Sequence, residues 1–224
     1  MFKNKKLLSF TLAETLITLT LIGVVAAMTI VPLTTGNKIQ KKIAEARLRT
    51  FYGNMQYAVK YESARLMKPP AKWLPKTTCK SGKNSSDCLI EYWNEHFSRH
   101  LKSTIVKTVN YYGNDYVLIR FADNSGVVAN LPIDNKIFFF FCVDYKNCKV
   151  ENNFDGRKTF LFEYYNGQFC SSFCGLSGFP RAQLLADCKD CSGFNFDGCS
   201  PTTRHACTSL LEVDGWTFKD DYPW

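Results

Sequence analysis

The sequence lacks the motifs by which the common enzyme classes are recognised. It has no glycine-rich phosphate-binding loop, no G-x-S-x-G turn that would expose a nucleophilic serine, and no HExxH zinc motif. It also lacks a recognisable pair of catalytic acids. We therefore expect no enzymatic activity, and binding or assembly remain as the classes of function to consider.

Charge is absent from residues 15–35, and no cysteine precedes Cys79. An uncharged run of this length can cross a bilayer as a helix, which takes about 20 residues. Lys3, Lys5 and Lys6 lie before the run, and positive charge favours a cytoplasmic N-terminus. The sequence thus predicts a single span of the inner (cytoplasmic) membrane, with the remainder of the chain on the outer side.

Glu14 is the one acid at the start of this apolar run. A carboxylate inside hydrocarbon is costly and usually marks a function. If the chain is cut before Phe10, Glu14 falls in the first turn of the helix. The helix dipole favours negative charge there, and the new α-amino group supplies a nearby cation.

The N-terminal segment resembles that of type IV prepilins and type II secretion pseudopilins. The resemblance is carried by Phe10-Thr11-Leu12-Ala13-Glu14, followed by Leu16, Ile17, Ile22-Gly23 and Ala26-Ala27. It departs from the family pattern at Ser9, where Gly or Ala is usual, and at Pro32, which is displaced by one place.

The resemblance implies that the leader is removed and that the mature subunits then assemble into a filament. A prepilin peptidase would cut between Ser9 and Phe10, Phe10 would be N-methylated, and Glu14 would assist docking of the subunit. The implied partners are other pilin-like subunits and an assembly platform at the inner membrane. The implied product is a periplasmic or extracellular filament, and the sequence does not separate a pilus from a secretion pseudopilus.

An ordinary secretory signal peptide is the alternative for this segment. The lysines would form its basic region, and Val25-Ala26-Ala27 would be a cleavage site that leaves a chain starting at Met28. Glu14 interrupts the apolar region and the run continues past Ala27, so this alternative is less favoured.

The predicted fold class is α+β and pilin-like, with a long N-terminal helix packed on an antiparallel sheet and a disulfide-rich C-terminal region. The predicted divisions are a leader at 1–9, a transmembrane and assembly helix at 10–35, its amphipathic continuation at 36–68, and a globular domain at 69–224. The domain's Cys-rich region is 170–207.

Hairpin signals define the predicted sheet. Residues 116–121 and 127–131 flank a turn sequence, residues 136–145 hold a row of phenylalanines, and residues 159–165 and 168–170 flank Asn-Gly. A short helix is expected at 87–101. Weak periodicity predicts irregular structure at 171–207, and residues 210–218 are expected to form a last strand or hairpin.

Ten cysteines lie on the predicted outer side, an even number that favours disulfides in an oxidising compartment. Their pairing is left open. Cys188 and Cys191 could instead be a redox CxxC, and with Cys170 and Cys174 they approach zinc-ribbon spacing. Structural disulfides are favoured over an exported thiol or zinc enzyme. The ten are Cys79, Cys88, Cys142, Cys148, Cys170, Cys174, Cys188, Cys191, Cys199 and Cys207.

Two groups of polar side chains are candidate metal ligands. His96 and His100 are spaced as a chelating pair, although a solvated helix face is the favoured interpretation. The second group offers oxygen ligands suited to calcium in one loop, and ordinary loop residues are the alternative. It consists of Asp187, Asp190, Asn195 and Asp197.

Basic charge is concentrated in residues 37–76, which hold ten Lys or Arg against Glu45 and Glu62, a net charge of +8. Such a stretch can attract nucleic acid phosphates. Contact with anionic lipid or with acids of neighbouring subunits is the favoured interpretation. A minor pilin-like protein whose disulfide-rich domain binds DNA or a surface ligand is therefore the alternative function.

Overall fold

The computed structural model describes residues 11–34, 37–72, 85–111, 114–130, 136–149, 154–193, 200 and 203–224. The chain forms two compact units that divide between Lys42 and Ile43. The first holds helix α1, Leu12–Thr34, and the start of helix α2, Asn37–Leu66. The second holds the remainder of α2 and all of the sheet.

The prediction of a transmembrane first half of the helix, at 10–35, is wrong. Within the described stretches of the chain, no helix combines the length and apolar character needed to cross a membrane.

One face of α2 is buried against the sheet from Ala44 onward. Ala44, Leu48, Phe51 and Met55 are at most 3% exposed. Their spacing of three and four residues places them on one side of a 3.6-residue helix. Ile43, the residue immediately before Ala44, is 42% exposed.

Among the described residues the sheet has six strands, each antiparallel to the next, in the order of the chain. This confirms the prediction of an α+β fold in which a long helix, here α2, lies against an antiparallel sheet. The strands are β1 Ser103–Tyr111, β2 Asn114–Phe121, β3 Gly126–Asn130, β4 Lys136–Cys142, β5 Thr159–Tyr165 and β6 Gln168–Ser171.

The β5–β6 turn forms as the sequence predicts. Asn166 and Gly167 have φ of 47° and 86°, and Tyr165 pairs with Gln168. Two consecutive positive φ values are what the favoured two-residue hairpin turn requires, and Asn-Gly adopts them at low cost. Local turn chemistry therefore sets the register at this edge of the sheet.

The phenylalanine row of β4 is buried on both faces of the sheet. Phe139 and Phe141 face the main core, where the Phe51 ring of α2 stacks on Phe141 with centroids 4.6 Å apart. Phe140 faces a smaller cluster that includes Phe154 on the other side. Alternation along the strand explains this division, because successive side chains point to opposite faces.

The predicted short helix is α3, Ser85–His96, and its apolar residues enter the core. Leu89, Trp93, Phe97 and Leu101 are at most 4% exposed. The last two lie in turns that follow the helix. The spacing of four residues therefore marks the buried side chains correctly, although the helix ends before the predicted boundary.

Two expectations for the C-terminal region are wrong. Residues 171–207 are not irregular throughout, since they contain helix α4, Arg181–Asp190. Residues 210–218 do not form a strand, because helix α5 spans Cys207–Val213. The first five residues of α5, from Cys207 to Leu211, are all buried, and the exposed residues Glu212 and Val213 come only at its end. So short a helix shows no repeating pattern of buried and exposed positions in the sequence.

Candidate functional site

Glu14 forms a capping box with Thr11 at the start of α1. The Thr11 backbone N–H and hydroxyl both donate to Glu14 Oε2 at 2.9 Å, and the Glu14 N–H donates to Thr11 Oγ1 at 3.3 Å. These bonds satisfy backbone donors that a helix leaves unpaired at its start. They also hold the pKa of Glu14 below its usual range. An ionised carboxylate therefore stands at the N-terminus of an apolar helix.

Large apolar side chains cover the surface of α1. Leu12, Leu19 and Ile22 are 80%, 67% and 65% exposed. The threonine hydroxyls return to the helix backbone, as when Thr18 donates to Glu14 O at 3.0 Å and Thr20 to Leu16 O at 2.7 Å. Contiguous exposed apolar surface of this kind is typical of interaction sites. The predicted cut between Ser9 and Phe10 lies outside the described residues.

The described cysteines form disulfides, and in three pairs both partners are described. Cys142 bonds Cys148, Cys170 bonds Cys174, and Cys188 bonds Cys207. Cys88 and Cys191 are also disulfide-bonded, and Cys79 and Cys199 lie outside the described residues.

These pairings distinguish structural disulfides from the redox and zinc-binding alternatives at the described cysteines. Cys188 bonds Cys207 rather than Cys191, so the CxxC is not a redox pair in this structure. Cys170 and Cys174 are bonded to each other. Because zinc binds thiolates, the predicted zinc-ribbon cysteines cannot ligate it in this state.

Two of the four candidate calcium ligands are described, and they differ in environment. Asp187 is fully buried in α4, and its Oδ2 accepts the Ala206 N–H at 3.2 Å. Asp190 is exposed and its Oδ1 accepts the Ser192 N–H at 3.1 Å. Asn195 and Asp197 lie outside the described residues, so the calcium site stays a prediction. Across the described ranges, no three His, Cys, Asp or Glu residues are grouped to hold a metal.

His96 and His100 do not lie on a solvated helix face, contrary to the favoured interpretation. His96 is 4% exposed, and both rings approach the buried Glu62 of α2. His100 Nε2 is 3.1 Å from Glu62 Oε1, and His96 Nδ1 is 3.7 Å from Glu62 Oε2. Arg65 donates to the same Oε2 at 2.8 and 2.5 Å.

This cluster holds a charge in the interior of the larger unit. Burial raises the pKa of Glu62, but the hydrogen bonds from Arg65 and His100 outweigh it, and the pKa is lowered. Burial lowers the pKa of His96. The Glu62–Arg65 spacing of three residues is a local signal that could have identified the cluster. The two histidines come from a separate element, which sequence alone does not place beside Glu62.

Several of the basic residues of the 37–76 stretch have internal roles. Arg47 donates to the carbonyls of Val143 and Asp123 at 2.5 Å each, and Arg49 donates to Gly215 O at 2.8 Å. These guanidinium groups fasten α2 to the loops around the sheet. The nucleic acid partner stays a prediction, with fewer cations available to it than the sequence indicates.

The comparisons with known proteins identify a family whose function is unknown. A family model described as a family of unknown function (DUF6613) matches residues 35–224. The match begins after the segment that resembles prepilins, so it does not bear on that resemblance. No curated protein and no solved structure matches the chain. Because the matched residues cover most of its length, the chain belongs to the DUF6613 family.

Proposed function

We propose that the chain is a pilin-like structural subunit of a type IV pilus or a type II secretion pseudopilus. Prepilin peptidase cuts it before Phe10, Phe10 is N-methylated, and the subunits polymerise through α1. The observation that carries the proposal is an apolar helix that begins with an ionised, capped Glu14 and exposes its large side chains.

Burial of α1 between neighbouring subunits supplies the driving force for assembly. A fully buried Leu or Ile side chain contributes about 1.5–3 kcal/mol. Eight large apolar side chains from Leu12 to Val25 are each at least 47% exposed, so the gain from burying them is large even after the cost of association. The uncovered helix is therefore suited to packing against copies of itself.

Glu14 sets the register of that packing. A carboxylate moved into an apolar filament core needs a cation, because an unpaired buried charge is costly. The α-amino group of Phe10 on a neighbouring subunit provides one at a matching position along the helix. Subunits that enter out of register would leave Glu14 unpaired, so the charge selects the correct arrangement.

The disulfides support placement of the larger unit outside the cytoplasm. Cross-links such as Cys142–Cys148 and Cys188–Cys207 form and persist in oxidising compartments. A filament subunit exposed in the periplasm or beyond meets that condition. The disulfides also suit a structural role, since they tie the C-terminal helices and loops together without leaving reactive thiols at the described cysteines.

Three substitutions separate the charge of Glu14 from its role in the cap. Glu14→Gln removes the charge but keeps a capping-box side chain, and Thr11→Ala weakens the cap by about 1 kcal/mol but keeps the charge. Glu14→Ala removes both. We expect both Glu14 variants to be cleaved yet absent from filaments, whereas Thr11→Ala is incorporated. The readout is subunit content of sheared filaments by immunoblot, and normal content of Glu14→Gln would contradict the assigned role.

A further inference from the structure

A cavity of about 410 Å³ lies within the larger unit, where α2, β6, α4 and α5 meet. Its polar lining includes Tyr52 and Gln56 of α2, Ser171 of β6, and Ser209 and Glu212 of α5. This volume is within the range of about 300–1,000 Å³ that is usual for small-molecule sites. All of its lining residues belong to the larger unit, and they include Cys170 of the Cys170–Cys174 disulfide.

Glu212 is the only charged residue among those that line the cavity, all of which lie in the described part of the chain. Tyr52 Oη donates to Glu212 Oε1 at 2.5 Å, and Ser171 Oγ donates to Oε2. An ionised carboxylate has about four acceptor positions. With one bond to each oxygen, two positions are left for a ligand.

The hydrogen bonds around Glu212 form a chain in which each group donates toward the carboxylate. Gln56 Nε2 donates to Tyr52 Oη at 3.0 Å, and Tyr52 in turn donates to the carboxylate. Burial and the bond to Glu212 raise the pKa of Tyr52 to about 12, so the phenol keeps its proton at neutral pH. The network therefore presents Glu212 as an acceptor, and a hydrogen-bond donor with positive charge complements it most strongly.

Apolar side chains form another part of the wall. Phe169, Phe173, Leu176 and Leu184 line the cavity beside the polar groups. Apolar and aromatic walls with a few oriented polar groups are characteristic of sites for organic ligands. A ligand that fills the cavity therefore carries an apolar body as well as a cationic donor.

The free edge of β6 is closed to an added peptide strand. Gln56 Nε2 donates to Phe169 O at 2.7 Å, and Ser209 Oγ donates to Ser171 O at 2.7 Å. These side chains occupy carbonyls that strand addition would need. The structure thus favours a compact ligand over an extended peptide.

We propose that this cavity binds an organic ammonium cation with an apolar body, whose N–H groups are accepted by Glu212. The proposal does not depend on filament assembly. Recognition combines a charge-assisted hydrogen bond to the carboxylate with burial of the apolar body against the phenylalanine and leucine walls. Quaternary ammonium ions have no N–H to donate, so they do not belong to the proposed class of ligands.

Three probes with the same phenyl body test the charge preference. The full chain is titrated with 2-phenylethylammonium, with the uncharged 2-phenylethanol and with the anion 3-phenylpropanoate, and binding is followed by saturation-transfer NMR. We expect the ammonium ion to bind about tenfold more tightly than the alcohol and the carboxylate to show no saturation transfer. Equal binding of the ammonium ion and the alcohol, or no binding of the ammonium ion, would overturn the proposal.

Two matched substitutions test whether Glu212 is the source of the preference for the ammonium ion. Glu212→Gln should remove the tenfold advantage of the ammonium ion and leave the alcohol unchanged. Asp220→Asn removes the same unit charge from an exposed turn and should have no effect. If Glu212→Gln does not fold, Tyr52→Phe replaces it and should weaken ammonium binding by releasing the carboxylate. An ammonium preference that persists in the Glu212 variant, or in Tyr52→Phe at full strength, would refute the assignment.

Discussion

Phe51 is predicted to hold α2 on the sheet, and its removal should be among the most destabilising single changes in the domain. The ring is 3% exposed and contacts aromatic rings from four strands. Its centroid lies 4.6 Å from Phe141, 5.2 Å from Phe162, and 5.8 Å from both Phe121 and Phe169.

The size of the effect follows from this packing. Phe→Ala in a protein core costs about 3–5 kcal/mol, and the cost is greater where the site cannot collapse. Rings held by four separate strands move together only if the sheet deforms. We therefore expect Phe51→Ala to lower the free energy of unfolding by about 4 kcal/mol, a large part of the 5–15 kcal/mol usual for a domain.

Urea denaturation under non-reducing conditions measures the change. For a urea dependence near 2 kcal/mol per molar, the midpoint should fall by about 2 M. Tyr57→Ala is the control on the same helix, since its ring is 58% exposed and its loss should cost less than about 1 kcal/mol. Phe51→Ala that costs no more than the control would refute the packing argument.

Two further predictions concern the interior of the domain. Because the folded-state pKa of both His96 and Glu62 is lowered, stability should decline below about pH 6.5 and again below about pH 4.5, and Glu62→Gln should flatten the second decline. Stability that rises on acidification in urea titrations would contradict this sign. Replacing Cys188 and Cys207 together by Ala should cost about 3 kcal/mol by opening a loop of 19 residues. A loss below about 1 kcal/mol, measured the same way, would be inconsistent with a structural cross-link.

The sequence predicts the central sheet well because its signals are local. Asn166-Gly167 takes the positive φ values that its turn requires, and the phenylalanine row of β4 is buried as its composition demands. β1, Ser103–Tyr111, is not predicted because it is an edge strand. Most of its residues, including Ile105 at 38%, remain partly or fully exposed, so no alternation marks it.

Long-range contacts account for the features that sequence reasoning misses. The histidines near Glu62 and the carboxylate of Glu212 are arranged by elements far apart in the chain. The burial of the histidines and the position of the Glu212 carboxylate beside Tyr52 depend on packing, which local spacing does not encode. The Thr11-x-x-Glu14 capping box was also missed, although its two residues lie only three apart and carry a local signal.

Analysis of the N-terminal peptide of assembled filaments by mass spectrometry tests the central claim most directly. The proposed function predicts a mature chain that begins at Phe10 and carries an N-methyl group, recovered from filaments sheared from cells. A mature chain beginning at Met28, or one that retains residues 1–9, would contradict it.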